Sequence, residues 1–394
     1  MVTRSSVRAK GGRAGSGTRS KRFESKRFDS VSPMPGPGQT DPPRPTLKDV
    51  ARRAGVATST ASLAYSGRGP VAEATVERVR AAASELGYTG PDPRASALRS
   101  GRAGTVAVLV EGRLLLAFRD PFAISILDGL AESLEELRSG MLLLSQPSDD
   151  PGAVVDQLAG MALDALVFSL CGPAQNPVVE HCAARGIPMF ATGRPQDPRV
   201  RQVVIDERGA SATAGHHLTN LGHRRVATVT MPMSPGATAG PLTEEAVAAA
   251  AFTDSRDRLL GLRDAIGLES AAWQAADPSS IDDGHAAGLA LLGVDAAVRP
   301  TAIVAQSDLL ALGVIRAAEE LGLRVPEDLS VVGFDGIEAP WSPHRLTTVD
   351  QHGQVKGRLL GELVAATLSG EQTEDVLQET TLQVGTTTAP PPAP

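Results

Sequence analysis

The chain has 394 residues, which exceeds one ordinary domain and predicts two or three. Hydrophobic residues make up 42% and aromatic residues only 3%, so the core must consist mainly of Ala, Val and Leu. The formal net charge is −7, but it is distributed unevenly. Residues 1–45 carry ten basic and three acidic side chains, and residues 46–102 carry nine basic and five acidic ones. The rest of the chain therefore has a net charge of −18. A basic front followed by an acidic body indicates that only the front meets a polyanion.

No run of eighteen apolar residues occurs, so no transmembrane helix is expected. The basic N-terminus lacks the apolar stretch of a secretory signal. The two cysteines, Cys171 and Cys182, form neither a disulfide framework nor a usual metal-ligand spacing. We therefore expect a cytoplasmic chain without a metal ion or a cofactor.

Residues 1–44 are rich in Ser, Gly, Arg and Pro, and this composition predicts a disordered basic tail. A solvated tail is one interpretation, and a translation start at Met34 is another. A third is a basic arm that adds non-specific affinity for DNA.

Residues 46–88 predict three short helices. Their expected bounds are Leu47–Ala54, Thr58–Tyr65 and Glu73–Leu86. Thr46 is expected to cap the first helix, and Gly55 to end it. Two short helices joined by a three-residue turn that contains a glycine are typical of a helix-turn-helix unit, whose second helix reads DNA.

The second helix has two distinct faces. Ala61, Ala64 and Tyr65 are expected to pack on the other two helices. The residues expected to point outward are Thr58, Ser59, Ser62 and Leu63. Small hydroxyl side chains let a backbone approach phosphates and hydrogen-bond to either base type. A helix pair of this kind also occurs inside ordinary helical cores, so the spacing alone leaves both interpretations open.

From Thr105 onward, short apolar runs such as "TVAVLV" and "DLSVVGFD" alternate with amphipathic helical stretches. This alternation predicts parallel sheets covered by helices on both faces. The number of strands predicts two similar α/β lobes. The Pro-rich end, "TTTAPPPAP", predicts a frayed terminus.

Several segments together resemble the LacI/GalR family of bacterial transcription regulators, over nearly all of residues 46–388. They include "TLKDVARRAGVATSTASLAYSG", "PRASALRSGRAGTVAVLV" and "SDLLALGVIRAAEELGLRVPEDLSVVGFD". The resemblance implies an α-helical helix-turn-helix DNA-binding head and an α/β two-lobed core like the periplasmic sugar-binding proteins of type I. The expected segments are a tail at 1–44, the head at 45–90, a hinge at 91–103, the core at 104–388 and a disordered tail at 389–394.

In the head and hinge, the resemblance implies a set of DNA contacts. The set is Thr46, Thr58, Ser59, Thr60, Ser62, Leu63, Arg94, Leu98 and Arg99. Leu98 matches the hinge leucine that wedges into the minor groove in the family. Two residues depart from the family pattern: Leu63 replaces an arginine that commonly reads guanine, and Ala72 replaces a capping serine.

In the core, the resemblance implies an effector between the lobes. The matching side chains are Arg256, Asp335, Ser307, Asp308, Arg194 and Phe122. Arginine and carboxylate side chains give directed hydrogen bonds to sugar hydroxyls or to a ligand carboxylate. The loop "ADPSSI" lacks the aromatic residue that often stacks on the family's ligand, which weakens the case for a sugar.

We therefore expect a sequence-specific repressor and not an enzyme. It should bind double-stranded DNA at a pseudo-palindromic operator. It should also respond to a small-molecule effector, with a sugar among the candidates. The expected assembly is a homodimer, with a tetramer as the alternative, acting on the nucleoid and not at a membrane. One alternative is a sugar-binding protein of the transport type. An enzyme is a second alternative, but phosphate-loop, dinucleotide, zinc-protease and nucleophile-elbow motifs are absent. His216, His217 and His223 are expected to cap or pack, not to bind a metal.

Overall fold

The computed structural model describes residues 45–67, 69–90, 102–147, 150, 152–169, 174–267, 271–275 and 280–393. These residues fall into two compact units, divided between residues 91 and 92. Within the described ranges, no helix is both long and apolar enough to cross a membrane. The predicted disordered tail and most of the predicted hinge lie outside the described residues.

The first unit is a bundle of three helices. They are α1 (Leu47–Ala54), α2 (Thr58–Ser66) and α3 (Glu73–Leu86). The predicted bounds of α1 and α3 are confirmed, and α2 is one residue longer than predicted. Thr46 caps α1 through its hydroxyl, which accepts a hydrogen bond from the Asp49 N–H at 3.3 Å. Gly55 ends α1 in the left-handed conformation, at φ 66°.

A small apolar core holds the three helices together. Val50 and Ala51 of α1, Ala61 and Ala64 of α2 and Val79 of α3 are buried in one cluster. Tyr88 belongs to the same buried cluster, and its ring meets the ring of the partly buried Tyr65 edge to face at 5.3 Å. The predicted inward face of α2 is therefore confirmed. Ala72 makes no side-chain cap on α3, as its replacement of serine predicts.

The second unit contains two α/β lobes, and the N-terminal lobe is built on a six-stranded sheet of order β12-β5-β4-β3-β1-β2 with all pairings parallel. Its strands are β1 (Thr105–Glu111), β2 (Gly140–Gln146), β3 (Ala165–Ser169), β4 (Met189–Ala191), β5 (Val200–Val204) and β12 (Val376–Leu377). Its helices are α4 (Leu114–Ala117), α5 (Pro121–Glu136), α6 (Ala153–Ala159), α7 (Val178–Ala184) and α13 (Gly353–Leu368). Helices α5 and α13 pack on one face of the sheet, and α6 and α7 on the other.

The C-terminal lobe contains a seven-stranded sheet of order β13-β11-β10-β9-β6-β8-β7, in which β13 and β7 pair antiparallel at the two edges. Its strands are β6 (Val226–Thr230), β7 (Gly240–Pro241), β8 (Ala272–Gln274), β9 (Ala302–Ala305), β10 (Ser330–Asp335), β11 (Thr347–Asp350) and β13 (Thr381–Gln383). Its helices are α8 (Glu207–Leu221), α9 (Glu244–Ala248), α10 (Thr253–Ile266), α11 (Ile281–Leu292) and α12 (Asp308–Glu320). Helices α11 and α12 cover one face, and α8 and α10 the other.

The chain crosses between the lobes three times. The crossings are residues 205–206, 351–352 and 378–380. Gln378 in the third crossing donates through Nε2 to the Gln351 carbonyl in the second, at 2.7 Å. Helices α5 and α13, far apart in sequence, approach closely because each has a glycine at the contact. A Cβ at Gly129 would overlap the Gln354 carbonyl oxygen.

The C-terminal end corrects one prediction, because Ala389 is not frayed. Its N–H donates to the Ser330 hydroxyl at 3.0 Å, and its carbonyl accepts from His223 Nε2 at 2.8 Å. His223 and Ser330 are both buried. Burial lowers the pKa of His223, so the ring is neutral and its Nε2–H is a donor that needs an acceptor.

Deleting residues 389–394 should therefore lower the free energy of unfolding by about 1–3 kcal/mol, since it leaves buried polar groups unsatisfied. Urea unfolding followed by tryptophan fluorescence measures this loss, because Trp273 and Trp341 are the only tryptophans of the sequence and both belong to the second unit, where Trp273 is partly buried. Deleting residues 393–394 alone is the control and should change nothing. Equal stability of both truncated chains would show that the Ala389 contacts contribute little.

Candidate functional site

A cleft of about 1220 Å³ opens between the two lobes of the core. Side chains at the carboxyl ends of strands line it from both lobes, including Glu111 at the end of β1, Val204 at the end of β5 and Asp335 at the end of β10. Open α/β sheets bind ligands at this edge. The cleft is therefore the candidate ligand site of the core.

Arg258 is a deeply buried cation of the cleft wall. Its side chain is 3% exposed, and its Nε donates to Glu207 Oε2 at 2.6 Å. Its Nη1 donates to the Gln306 carbonyl at 2.8 Å, and the guanidinium lies 3.8 Å from the centroid of the Phe334 ring. These contacts hold the guanidinium of Arg258 in place at the cleft wall.

Arg256, a predicted effector contact, is not among the residues that line the cleft, and its contact with a ligand stays a prediction. Its guanidinium pairs with the neighbouring Asp257 at 2.8 Å. Residues 256 and 258 lie about 200° apart around α10, so when one faces the cleft the other points away. Of the two arginines in the segment "SRDR", the structure places Arg258 in the cleft wall, and the sequence analysis did not name it.

A polar chain runs across the second crossing, from one lobe to the other. Gln351 Nε2 donates to Asp335 Oδ1 at 2.8 Å, and Lys356 Nζ donates to Gln351 Oε1 at 3.0 Å. Lys356, on α13, also lies 5.9 Å from the centroid of the Phe122 ring. All four residues line the cleft. Sequence reasoning missed Gln351 and Lys356; the motif "LTTVDQ" was the available signal for Gln351.

Ser307 and Asp308 have different positions. Ser307 lines the cleft and caps α12 by accepting from the Leu310 N–H at 3.2 Å. Asp308 is buried behind the wall, where its Oδ2 accepts from the N–H groups of Gly336 and Ile337 at 2.9 and 2.8 Å. Asp308 thus holds the loop that follows Asp335, and its predicted ligand contact is not supported by its position.

The two aspartates Asp308 and Asp335 share one desolvated environment. Burial raises the pKa of Asp308 to about 7, and burial together with the nearby Asp308 raises the pKa of Asp335 well above its usual value. Asp335 also has a positive φ of 126°, a conformation that is strained for a residue other than glycine. Strain and raised pKa values are concentrated at functional sites.

The raised pKa of Asp308 predicts a contribution to the stability of the core that is larger in mild acid, opposite in sign to the contribution of the neutral, buried His223. Folded Asp308 keeps its proton up to about pH 7, whereas an unfolded aspartate loses it near about pH 4, so between these values the folded state binds more protons and stability falls as pH rises. Thermal unfolding at about pH 5 and about pH 8 measures the slope. Asp308→Asn, which keeps an acceptor for the two N–H groups, should remove the contribution of Asp308, so the Tm of the variant should gain less than that of the parent chain, or lose more, on going from about pH 8 to about pH 5. An unchanged slope in Asp308→Asn would contradict the assignment.

Arg194 and Phe122 line the cleft from the N-terminal lobe, as predicted. Their contact with a ligand remains a prediction. Asp254, at the start of α10, lines the opposite wall and was missed, because an aspartate in a helix's first turn is typical of ordinary helices.

The head presents the predicted outward residues. Thr58, Ser59 and Ser62 are exposed, and Leu63 is 41% exposed, whereas Thr60 is half-buried. The Thr46 hydroxyl is engaged with Asp49 in the cap of α1. The predicted hinge residues Arg94, Leu98 and Arg99 lie outside the described residues.

Comparisons with known proteins match both units. The family model "Bacterial regulatory proteins, lacI family" matches residues 46–90, and the model "Periplasmic binding protein-like domain" matches residues 216–388. An HTH-type transcriptional regulator of Mycolicibacterium smegmatis is 33% identical over 372 residues, which cover 89% of this chain and 98% of that protein. The HTH-type transcriptional regulator CelR of Thermobifida fusca is 32% identical, over 84% of this chain and 94% of CelR.

Solved structures agree. A complex of the regulator CelR with cellobiose matches with a TM-score of 0.60 and 30% identity, over 87% of this chain and all of that one. The lac repressor dimer bound to its operator and an anti-inducer matches with a TM-score of 0.68 over 87% of this chain and 99% of that one; at 22% identity it shows the fold alone. The chain therefore belongs to the LacI family of bacterial regulatory proteins, as a transcription regulator with a helix-turn-helix DNA-binding head and a two-lobed effector-binding core.

Proposed function

We propose that the chain is a repressor that binds a pseudo-palindromic operator as a homodimer, and that a small molecule in the interlobe cleft controls its DNA affinity. The outward face of α2 carries this proposal. Thr58, Ser59 and Ser62 are exposed along one side, while the buried Ala61 and Ala64 fix the helix on its neighbours. The N-terminal residues of a recognition helix normally reach base edges in the major groove.

The control mechanism follows from the two-lobed core. A ligand that binds one degree of lobe closure more tightly shifts the population of the closed form and, through the chain between core and head, the DNA affinity. The sugar in the CelR complex supports a carbohydrate-sized effector, and the cleft volume of about 1220 Å³ accommodates one. Such a repressor acts in the cytoplasm on the nucleoid, and the proposal includes no catalytic step.

Selection of bound duplexes from a random library by the full chain tests the function. We expect a two-fold symmetric consensus whose half-sites are about one helical turn apart, bound with an affinity that falls steeply with salt. Light scattering of the complex distinguishes a dimer from a tetramer. Binding without any sequence preference would contradict the proposal.

The same selection tests whether Leu63 faces a base, since its apolar side chain offers no hydrogen bond to one. We expect Leu63→Arg to change the preferred base at one position in each half-site toward guanine, with a discrimination of about 1–3 kcal/mol. Leu63→Ala is the matched control, because it removes the apolar contact and adds no donor. If Leu63→Arg selects the same consensus as the parent chain, Leu63 faces no base.

A further inference from the structure

Arg194 is a buried cation in the cleft wall of the N-terminal lobe. It is 8% exposed, and its Nη1 is buried without a hydrogen-bond partner. No carboxylate in the described part of the chain forms an ion pair with it. Gln202 braces the loop on both sides of Arg194, accepting from the Gly193 N–H at 3.1 Å and donating to the Pro195 carbonyl at 2.7 Å. The guanidinium is therefore held in the cleft by a built loop.

Asp254 is its counterpart in the C-terminal lobe. It is 7% exposed, and its Oδ1 is buried without a donor. The two arginines nearest in sequence have other partners, since Arg256 pairs with Asp257 and Arg258 pairs with Glu207. Across the described ranges, no basic side chain forms an ion pair with Asp254.

The whole cleft repeats this division of charge. Four basic side chains and two acidic ones line the N-terminal wall; the basic ones are Arg113, Arg119, Arg194 and Lys356. Six acidic side chains and two basic ones line the C-terminal wall; the acidic ones are Asp206, Glu207, Asp254, Asp257, Asp282 and Asp335. One wall is thus positive and the other negative.

We propose that the effector is a zwitterion, with an acidic group bound by Arg194 and an amine or other cationic group bound by Asp254. This inference rests on the proposed function, because it names the chemical class of the ligand in the same cleft. A buried charge is costly without a partner of opposite charge. A neutral polyol gives hydrogen bonds to both groups but neutralises neither, whereas a zwitterion neutralises both at once.

The first experiment needs no ligand. If Arg194 and Asp254 await partners from the ligand, removing either charge relieves a cost, so Arg194→Gln should raise the Tm of the full chain by about 2 °C or more. Asp254→Asn should raise it by less, because Asp254 lies in the first turn of α10, where the helix dipole offsets part of the cost. Arg258→Gln is the control and should lower the Tm, because Arg258 already has its partner Glu207. A lower Tm in both Arg194→Gln and Asp254→Asn would overturn the proposal, since it would show that the two side chains pair within the protein.

The second experiment uses four ligands on one scaffold, which are glucose, glucosamine, glucose 6-phosphate and glucosamine 6-phosphate, and cellobiose as a second neutral sugar. We expect the zwitterion to bind at least about tenfold more tightly than either singly charged sugar, with glucose weakest. Asp254→Asn should abolish the gain from the amine, and Arg194→Gln the gain from the phosphate. The twenty common L-amino acids provide a second set of zwitterions, made of smaller molecules.

Binding of glucose or cellobiose as tight as that of every zwitterion would overturn the inference, and so would the failure of both zwitterion sets to bind. Operator selection without ligand reports separately on the proposed function. A chain that binds an operator but prefers neutral sugars retains the function and loses the inference. If the chain binds zwitterions but no operator, the inference stands and the proposed function is wrong.

Discussion

Replacing Arg258 with Met should lower the free energy of unfolding of the core by about 3–5 kcal/mol, because it removes one partner of a buried ion pair and leaves the other. Arg258 is 3% exposed, and the Glu207 carboxylate 2.6 Å from it is 21% exposed. The change also removes the hydrogen bond to the Gln306 carbonyl and the cation over the Phe334 ring. Methionine is unbranched and matches the aliphatic part of the arginine side chain, so the loss reports the guanidinium, with its charge and hydrogen bonds, more than the packing of that aliphatic part.

The chain contains a matched control for this change. Arg208 and Asp264 join the same two helices, α8 and α10, at the same distance of 2.6 Å, but their side chains are 56% and 53% exposed. Arg208→Met should therefore cost only about 0–1 kcal/mol. Urea unfolding followed by Trp273 and Trp341 fluorescence gives both values. Equal losses for the two variants would show that burial does not determine the strength of these pairs.

The head was predictable because its signals are local. A capping threonine, a glycine three residues before the second helix and an apolar repeat all lie within one or two turns of the elements they define. The bounds of α1 and α3 were correct for this reason. The division of α2 into a buried and an exposed face also follows from its own spacing.

The cleft was only partly predictable, because its residues come from segments far apart in sequence. The charge of Arg256 equals that of Arg258, and nothing in the segment shows which face of α10 meets Glu207. The role of Lys356 depends on an oriented Gln351 amide, and that orientation depends on Asp335. Such chains of contacts exist only once the two lobes have been assembled.

The prediction of a frayed C-terminal end failed for the same physical reason, because contacts with distant residues decide the outcome. A Pro-rich tail is usually frayed, because it has few hydrogen bonds of its own. Here the acceptor at Ala389 is required by a neutral His223 that lies over 160 residues earlier in the chain. The composition of the segment shows that it has few hydrogen bonds of its own, but it does not show that a distant donor, here His223, needs one of its carbonyl groups.

Replacing Ala61 with Asn should reduce operator affinity at least about thirtyfold by unfolding the head. Ala61 is fully buried in the small cluster that joins α1, α2 and α3. Adding an amide there costs about 1–3 kcal/mol for a polar group without a partner, and overpacking costs about 1–3 kcal/mol more. A core of this size rarely supplies more than about 3–5 kcal/mol, so the loss consumes most of the stability of the head.

The distribution of aromatic residues allows each unit to be followed separately in the full chain. Both tyrosines, Tyr65 and Tyr88, lie in the head, and both tryptophans lie in the core. In Ala61→Asn, the NMR signals of labelled tyrosine rings should collapse to their unfolded positions, while tryptophan fluorescence still reports a folded core. Ala81→Asn, which places the same amide at an exposed position on α3, should leave both signals and operator affinity close to those of the parent chain. Retention of the dispersed tyrosine signals in Ala61→Asn would mean that any loss of affinity arises at the DNA surface instead.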